Sequence, residues 1–337
     1  MKKLFALMLS ALLMVTAVCT FGCKKEDGGK LGEVSLKYLN PPEIVQLLNS
    51  GDLDYGLIAE PMMTKLTATL NWEILDVQEL YDSNTKGYPQ AVLMVKNEVL
   101  ESYPQLVREI ENKFQENVEW AKSNISTAVN AVIQKYESTA LKPANKLTTD
   151  AIDRCKIQWQ SATDAKQSVN NYIDELLGIK LGLGITPASK VGEDFFYTTS
   201  SLEGQTIENK TFSFVVPDGA PALAIAKFIN EEQNFISGAT FNYSVVNAEN
   251  IGGYMSGAIG SADFIIMPIN SATLNHNDNY KMVSVITHGN LYLVSKTPFI
   301  TGLVGKRVGV MGGEGKVPDL TLKIILKNNG LNYKTVK

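Results

Sequence analysis

Residues 213–228 read SFVVPDGAPALAIAKF, and this stretch decides the fold class. Phe212, Phe214, Val215 and Val216 suit a buried strand, which runs into Pro217-Asp218-Gly219-Ala220-Pro221. An alanine- and leucine-rich helix is expected at once after it, over 221–232. Pro221 falls in the first helical turn, where its missing N–H leaves no bond unmade. Gly219 carries no side chain to hold a ligand off the backbone. A strand, a tight glycine turn and a helix N-terminus make a corner where a small molecule can dock. The alternative reading is an ordinary βα turn.

Outward from this corner the alternation continues. Strands are expected at 240–246 and 263–267, a helix at 250–259 and a short one opened by Pro268-Ile269-Asn270. Two more strands, 281–287 and 290–296, flank His288-Gly289-Asn290, and Lys306–Met311 is another. Gly312-Gly313-Glu314-Gly315 loops into a helix from Val317-Pro318 to Asn328-Asn329-Gly330. The N-terminal part alternates likewise: strand 34–39, helix 42–48, strand 54–58, helix 62–70, strand 72–77 and strand 90–96. Such β-α-β order means parallel-rich sheets covered by helices. Between them, 98–178 reads as helices, including one over 147–160, with Trp120, Trp159 and Cys155 as packing residues. Residues 185–209 lack periodicity and read as a surface tail or linker.

With 337 residues, 45% hydrophobic and 20% charged, the chain can bury a large core, and two domains are expected. A net charge of −4 without a basic run past the N-terminus argues against nucleic acid as a partner. Lys2 and Lys3 precede an apolar run from Leu4 to Val18, a targeting segment too short to span a bilayer comfortably. Thr20-Phe21-Gly22-Cys23 is similar to a bacterial lipobox, so 1–23 is read as a signal peptide, Cys23 as the lipidated residue and 24–30 as a polar tether. Simple secretion with a nearby cut is the alternative. Cys155 is then left without a disulfide partner, and two histidines distant in sequence, His276 and His288, make no zinc site. No cofactor is expected.

Several segments together resemble the substrate-binding proteins of ABC importers in the nitrate/taurine/aliphatic-sulfonate and thiamine-precursor group. They are PDGAPALAIAKF (217–228), ADFIIMPINSAT (262–273), NLYLVSK (290–296), LVGKRVGVMGGEGKVPDLTLKIILKNNGL (303–331) and NPPEIVQLLNSGDLDYGLIAEPMMTKL (40–66). The order differs from the family's, in which the PDGAP segment comes first and the IAEP segment follows the GKVPDLTL helix. Joining the C-terminal Asn332–Lys337 to Leu31–Leu36 restores a continuous helix–loop–strand, so the chain reads as circularly permuted. The resemblance implies a two-lobe, periplasmic-binding-protein-like (type II) α/β fold with two crossover strands, near 88–96 and 289–301, that closes on its ligand by hinge motion. It puts 31–89 with 300–337 in the smaller lobe and 90–299 in the larger.

Ligands of open α/β sheets bind beyond the carboxyl ends of strands. The matched segments supply the candidates: Pro217, Asp218, Gly219, Ala220 and Pro221 as one wall, Asn270 and Ser271 beside them, and Gly313, Gly315, Lys316 and Val317 opposite, with Glu60 below. Asn290 and Tyr88 fall near the hinge. For Glu60 the alternative is a helix-start acid, and for Lys316 a solvated loop charge. Of the arginines Arg108, Arg154 and Arg307, none falls on these strand ends, whereas Asp218, Glu60 and Glu314 do. That tilts the expected ligand toward a nitrogen heterocycle over nitrate or a sulfonate.

The resemblance implies no enzyme: a monomeric, extracytoplasmic, membrane-anchored binding protein that delivers a small solute to an ABC permease. A ligand sensor for a membrane receptor is the alternative. An enzyme that makes the thiamine pyrimidine is disfavoured, because the cysteine cluster of those relatives has no counterpart here. Gly309–Val317 (GVMGGEGKV) departs from a phosphate-binding loop at both ends, and no nucleophile-elbow motif occurs.

Overall fold

The computed structural model describes residues 32–81, 87–135, 138, 140–198, 204–231, 236–297 and 302–336. The targeting segment, the tether and Cys23 lie outside them. In chain order the elements are β1 (Glu33–Leu39), α1 (Pro41–Ser50), β2 (Tyr55–Ala59), α2 (Met62–Thr67), β3 (Glu73–Asp76), α3 (Val77–Tyr81) and β4 (Ala91–Lys96). Then come α4 (Asn97–Ser102), α5 (Pro104–Ser123), α6 (Ile125–Lys135), α7 (Thr149–Arg154), β5 (Ile157–Ser161) and α8 (Ala162–Leu177). The chain continues through β6 (Lys210–Pro217), α9 (Ala220–Leu223), α10 (Ala226–Glu231), β7 (Ala239–Val246), α11 (Gly252–Ser256), β8 (Phe264–Pro268) and α12 (Ile269–Asn275). It closes with β9 (Tyr280–Thr287), β10 (Leu291–Ser295), β11 (Arg307–Met311), α13 (Val317–Asn328) and β12 (Asn332–Thr335).

The fold is α/β with two lobes, each built round a six-stranded sheet: β12-β1-β11-β2-β10-β3 in the first and β5-β9-β4-β8-β6-β7 in the second. Five strands of each repeat one arrangement, β1-β11-β2-β10-β3 matching β7-β6-β8-β4-β9. Three parallel strands are followed by an antiparallel one that has just arrived from the other sheet, and then by a strand antiparallel to that. In the second sheet β6 precedes β7 and β8; in the first its counterpart β11 comes after β1 and β2.

The inner strands β2, β4, β8 and β10 are buried along nearly their whole length because both faces are covered, whereas β12 at one edge and β7 at another carry exposed residues. Along β4, Ala91, Leu93 and Val95 enter one core while Val92 and Met94 enter another. Along β6, Phe212, Phe214 and Val216 face the core under α5, α6 and α10, and Val215 faces the opposite one. Removing each such side chain from water contributes ~1.5–3 kcal/mol. Phe212, Phe214, Phe241 and Phe264 pack ring on ring across β6, β7 and β8, with Phe214 and Phe264 stacked at 5.3 Å. The first helix α1 begins with a full capping box, in which Asn40 Oδ1 accepts from Glu43 N and Glu43 Oε2 accepts from Asn40 N.

Four expectations are corrected. The helix expected over 147–160 ends at Arg154, and Ile157–Ser161 is a strand paired antiparallel with β9, the turn between them passing through Lys156 at φ +50°. The helix after Gly219 breaks in two because the buried Asn117 of α5 inserts there. Its Nδ2 donates to Ala224 O at 2.5 Å, and its Oδ1 accepts from Lys227 N at 2.8 Å. The stretch from 185 is not simply a surface tail: Ala188, Phe195 and Phe196 are buried, and Phe196 bridges to Met282 of β9. Finally, Asn332–Thr335, expected within the joined helix–loop–strand, forms a strand of its own, β12, parallel to β1, with Val336 N bonded to Leu36 O at 2.8 Å. A link from the end of β12 to the start of β1 would run back ~10 Å along the pair; residues 31 and 337 themselves lie outside the described residues.

Candidate functional site

The chain passes between the sheets at 87–90 and at 288–290, so β10 belongs to the first sheet and the second passage precedes it. The two passages lie side by side. Gln90 Nε2 donates to Asn290 Oδ1 at 2.7 Å, and Asn290 Nδ2 donates to Glu60 O at 2.8 Å. Leu291 N donates to Gln78 Oε1 at 3.0 Å. A Cβ at Gly289, whose φ is +87°, would meet Gln78 and Tyr88 within 3 Å, so glycine is required by both backbone and space. Tyr88 is wholly buried beside the passages, stacked on Tyr172 and edge-on to Tyr81, and burial pushes its hydroxyl pKa well up. Asn290 is therefore bonded on both atoms of its amide within the protein, whereas the Tyr88 hydroxyl is buried without a hydrogen-bond partner.

Beside these passages the carboxyl end of β2 in the first sheet meets that of β6 in the second. Register continued along β11 and β2 sets Gly313 level with Glu60 in the first sheet. Register continued along β6 and β8 sets Asp218 level with Pro268, two residues before Asn270, in the second. Across the gap, Pro61 Cδ lies 3.9 Å from where a Cβ of Gly219 would stand. The structure thus sets Pro61 of one lobe against Gly219 of the other, while register within each sheet puts Gly313 beside Glu60 and Pro268, two residues before Asn270, beside Asp218. Gly219 holds φ +101°, and the helix it opens, α9, has only four residues, too few for the N-terminal dipole site expected there.

The acidic groups at this junction are already engaged. Glu60, whose side chain is fully buried, accepts from Thr64 N (3.0 Å), Thr64 Oγ1 (2.6 Å) and Arg154 Nε (2.6 Å). Asp218 accepts from Ser138 Oγ at 2.5 Å and Ala140 N at 3.4 Å. Burial lowers the Lys65 pKa from its ordinary value, against the opposing charge of Asp218. Arg154 thus overturns the expectation that no arginine reaches the strand ends. It arrives from α7, ninety-four residues along the chain from Glu60. Its place in a last helical turn, where a cation is favourable anyway, hid that role in the sequence.

Asn270 differs. It is 9% exposed, and its Oδ1 is buried without a hydrogen-bond partner. A buried acceptor left unpaired costs ~1–3 kcal/mol unless something occupies the site. Ser271 takes Asn275 Nδ2 on its carbonyl at 2.9 Å. On the first lobe, Gly313 has open space around its Cβ position and Lys316 is exposed, while Val317 packs into the core. Gly315 is covered: Leu181 and Ile185 lie over it, and Gly182 N donates to Glu314 Oε1 at 3.2 Å. A separate hollow of about 400 Å³ opens at the opposite end of the second sheet, beside Asn97, Tyr197 and Lys281.

Among the described residues no helix is long and apolar enough to cross a membrane, and no three histidine, cysteine or acidic side chains gather as metal ligands. No protein family's sequence profile matches the chain, and no curated protein matches it. Among solved structures it is similar to NikA from Staphylococcus aureus in complex with Ni(L-His)2, at 10% identity and TM-score 0.31 over 77% of this chain and 56% of that one. The ABC transporter substrate-binding protein CtaP from Listeria monocytogenes gives 10% identity and TM-score 0.29 over 76% and 53%. A substrate-binding protein from Microbacterium hydrocarbonoxydans complexed with 4-hydroxybenzoate hydrazide gives 9% and 0.27 over 83% and 56%. The chain spans about half the length of these structures.

Proposed function

We propose that the chain is an extracytoplasmic solute-binding protein that captures a small molecule between its lobes and delivers it to an ABC importer, making and breaking no covalent bond. The observation that carries this reading is the meeting of strand ends from two matching sheets, Glu60-Pro61 against Asp218-Gly219, across two adjacent chain passages that can serve as a hinge. The chain order of the first sheet, with β11 after β1 and β2, supports a circularly permuted member of the nitrate/taurine/sulfonate/thiamine-precursor group. Anchoring through Cys23 and a monomeric state complete the proposal.

The ligand argument moves from the carboxylates, which are engaged, to Asn270. Its free acceptor suits a ligand that donates an N–H, which keeps a nitrogen heterocycle ahead of nitrate or a sulfonate. The test is a thermal-shift screen of the purified protein against pyrimidines, other vitamins, amino acids, sulfonates, nitrate and nickel–histidine. At a hundred times its Kd a ligand adds ~2.7 kcal/mol of stability. A heterocycle that raises the Tm, with the rise lost in Asn270→Ala, is the expected result. A shift undiminished in Asn270→Ala overturns the placement of the site, and chemical turnover of the ligand overturns the binding reading.

A further inference from the structure

The turn between α7 and β5 belongs to the second lobe, yet its side chains are fastened to the first. Arg154 Nε reaches Glu60 Oε1 at 2.6 Å and its Nη2 reaches Thr64 Oγ1 at 2.6 Å. The Arg154 carbonyl accepts from Tyr292 OH of β10 at 3.0 Å, and Lys156 Nζ pairs with Asp76 Oδ2 of β3 at 3.3 Å. On its own side the turn leads into β5, which pairs with β9 from Ile157 opposite Thr287, and Lys156 O accepts from His288 N of the second passage at 3.1 Å. Glu60 is the pivotal group. Its side chain is wholly shielded from water, and among the described residues the cation paired with it is the guanidinium supplied by the other lobe.

We propose that this turn is a clasp that holds the two lobes together before any ligand arrives, with Arg154 as a positioning residue that sets the balance between open and closed forms. The inference rests on the two-lobe binding reading. Opening about 87–90 and 288–290 withdraws Arg154 from Glu60 and gives up the Tyr292–Arg154 and Lys156–Asp76 contacts with it. These contacts exist in the closed arrangement alone, so they favour the closed form in the empty protein. A ligand binding both lobes adds to that bias rather than creating it, and its apparent affinity scales with the fraction of molecules already closed. Arg307 supplies the internal control. It also pairs with an aspartate, Asp54 at 3.2 Å, and caps Gly51 O at 2.8 Å, but all three residues belong to the first lobe.

Small-angle X-ray scattering of the ligand-free protein reads the clasp directly. The expected result is a larger radius of gyration for Arg154→Ala than for the parent protein, a smaller increase for Tyr292→Phe, and none for Arg307→Ala. Circular dichroism and a cooperative urea transition establish that each variant is folded. Should Arg154→Ala not fold, Tyr292→Phe, which deletes one hydroxyl, and Arg154→Lys, which keeps the charge but loses the fork, carry the test. Folded variants that all scatter like the parent overturn the proposal. Because no ligand is used, an empty ligand screen and a failed clasp are separate results.

Discussion

Lys323 offers the sharpest test of how the first lobe is held together. Its side chain on α13 is 1% exposed and lies 3.0 Å from Asp319 Oδ2 and 3.2 Å from Glu314 Oε1. Asp319 is equally buried and accepts from Gly315 N and from Tyr38 OH, each at 2.8 Å. Burial pushes the Asp319 carboxyl up from the ordinary range, opposed by the Gly315 N–H and by Lys323. Burial also works against the Lys323 ammonium, but Asp319 and Tyr38 outweigh it and hold that pKa above the usual lysine value. The pair is charged at neutral pH, and it fixes the Gly312–Lys316 loop at the end of β11.

Lys323→Met keeps most of the stem and removes the charge. Breaking a buried pair in this way costs ~3–5 kcal/mol. Asp319 has an escape, since it can take up a proton. From an unfolded pKa of ~3.9, that costs about 4 kcal/mol at pH 7 and about 1.5 kcal/mol at pH 5, at ~1.36 kcal/mol per unit. The sign follows from linkage: a carboxyl whose folded pKa is raised contributes stability below its unfolded pKa and loses it as pH rises. The deficit of the variant against the parent protein is therefore expected to grow from about 1.5 kcal/mol at pH 5 to about 4 kcal/mol at pH 7. Urea unfolding followed by far-ultraviolet circular dichroism measures both values. Adding Asp319→Asn, which keeps an acceptor and removes the stranded charge, should recover much of the loss at pH 7. An equal deficit at both pH values, or a double variant no more stable than the single one, would refute the reasoning.

Gly219→Ala isolates backbone strain from packing. The new Cβ would find Ala140 Cβ at 3.8 Å and Pro61 Cδ at 3.9 Å, both ordinary contacts, so the cost of ~1–3 kcal/mol comes from holding φ +101°; an unchanged Tm counts against it. Asn40→Ala removes the capping box of α1 and should lower stability by ~1 kcal/mol in urea, whereas no change would mean that solvent caps the helix equally well. At alkaline pH the buried tyrosines set the direction. Burial raises Tyr38 to about 12 and lifts Tyr88, Tyr172 and Tyr292 above the ordinary value, while unfolded tyrosines ionise near pH ~10. Above that pH the unfolded chain releases protons that the native one keeps, so stability should fall between pH ~10 and ~12. Tyrosinate absorbance that reaches its full value while circular dichroism stays native would contradict this.

Strand ends were legible in the sequence because they are local events. Pro217-Asp218-Gly219 and Glu60-Pro61 each interrupt an apolar run that a two-faced buried strand requires, and no partner is needed to see the interruption. What escaped was everything decided by a distant partner. Ile157–Ser161 carries a strand-like alternation inside a helical region, and β9 settles the matter by offering an edge, Ile157 level with Thr287 and Ser161 with Ser284. The alanine-rich run after Gly219 has every local reason to stay helical, and it breaks because Asn117, more than a hundred residues earlier, takes its carbonyls. The same distinction governs the candidate site. That Glu60 and Asp218 stand at strand ends is written in their own segments, and from there a free carboxylate facing a ligand is the natural reading. Which cation or hydroxyl reaches them depends on how the lobes face each other, and Arg154 and Ser138 reach them from a helical region that gives no local sign of it. Acidic residues at the strand ends of a two-lobe protein therefore bear on how the lobes are joined, and under the binding reading proposed above an unpartnered buried acceptor such as Asn270 Oδ1 is the better guide to the ligand.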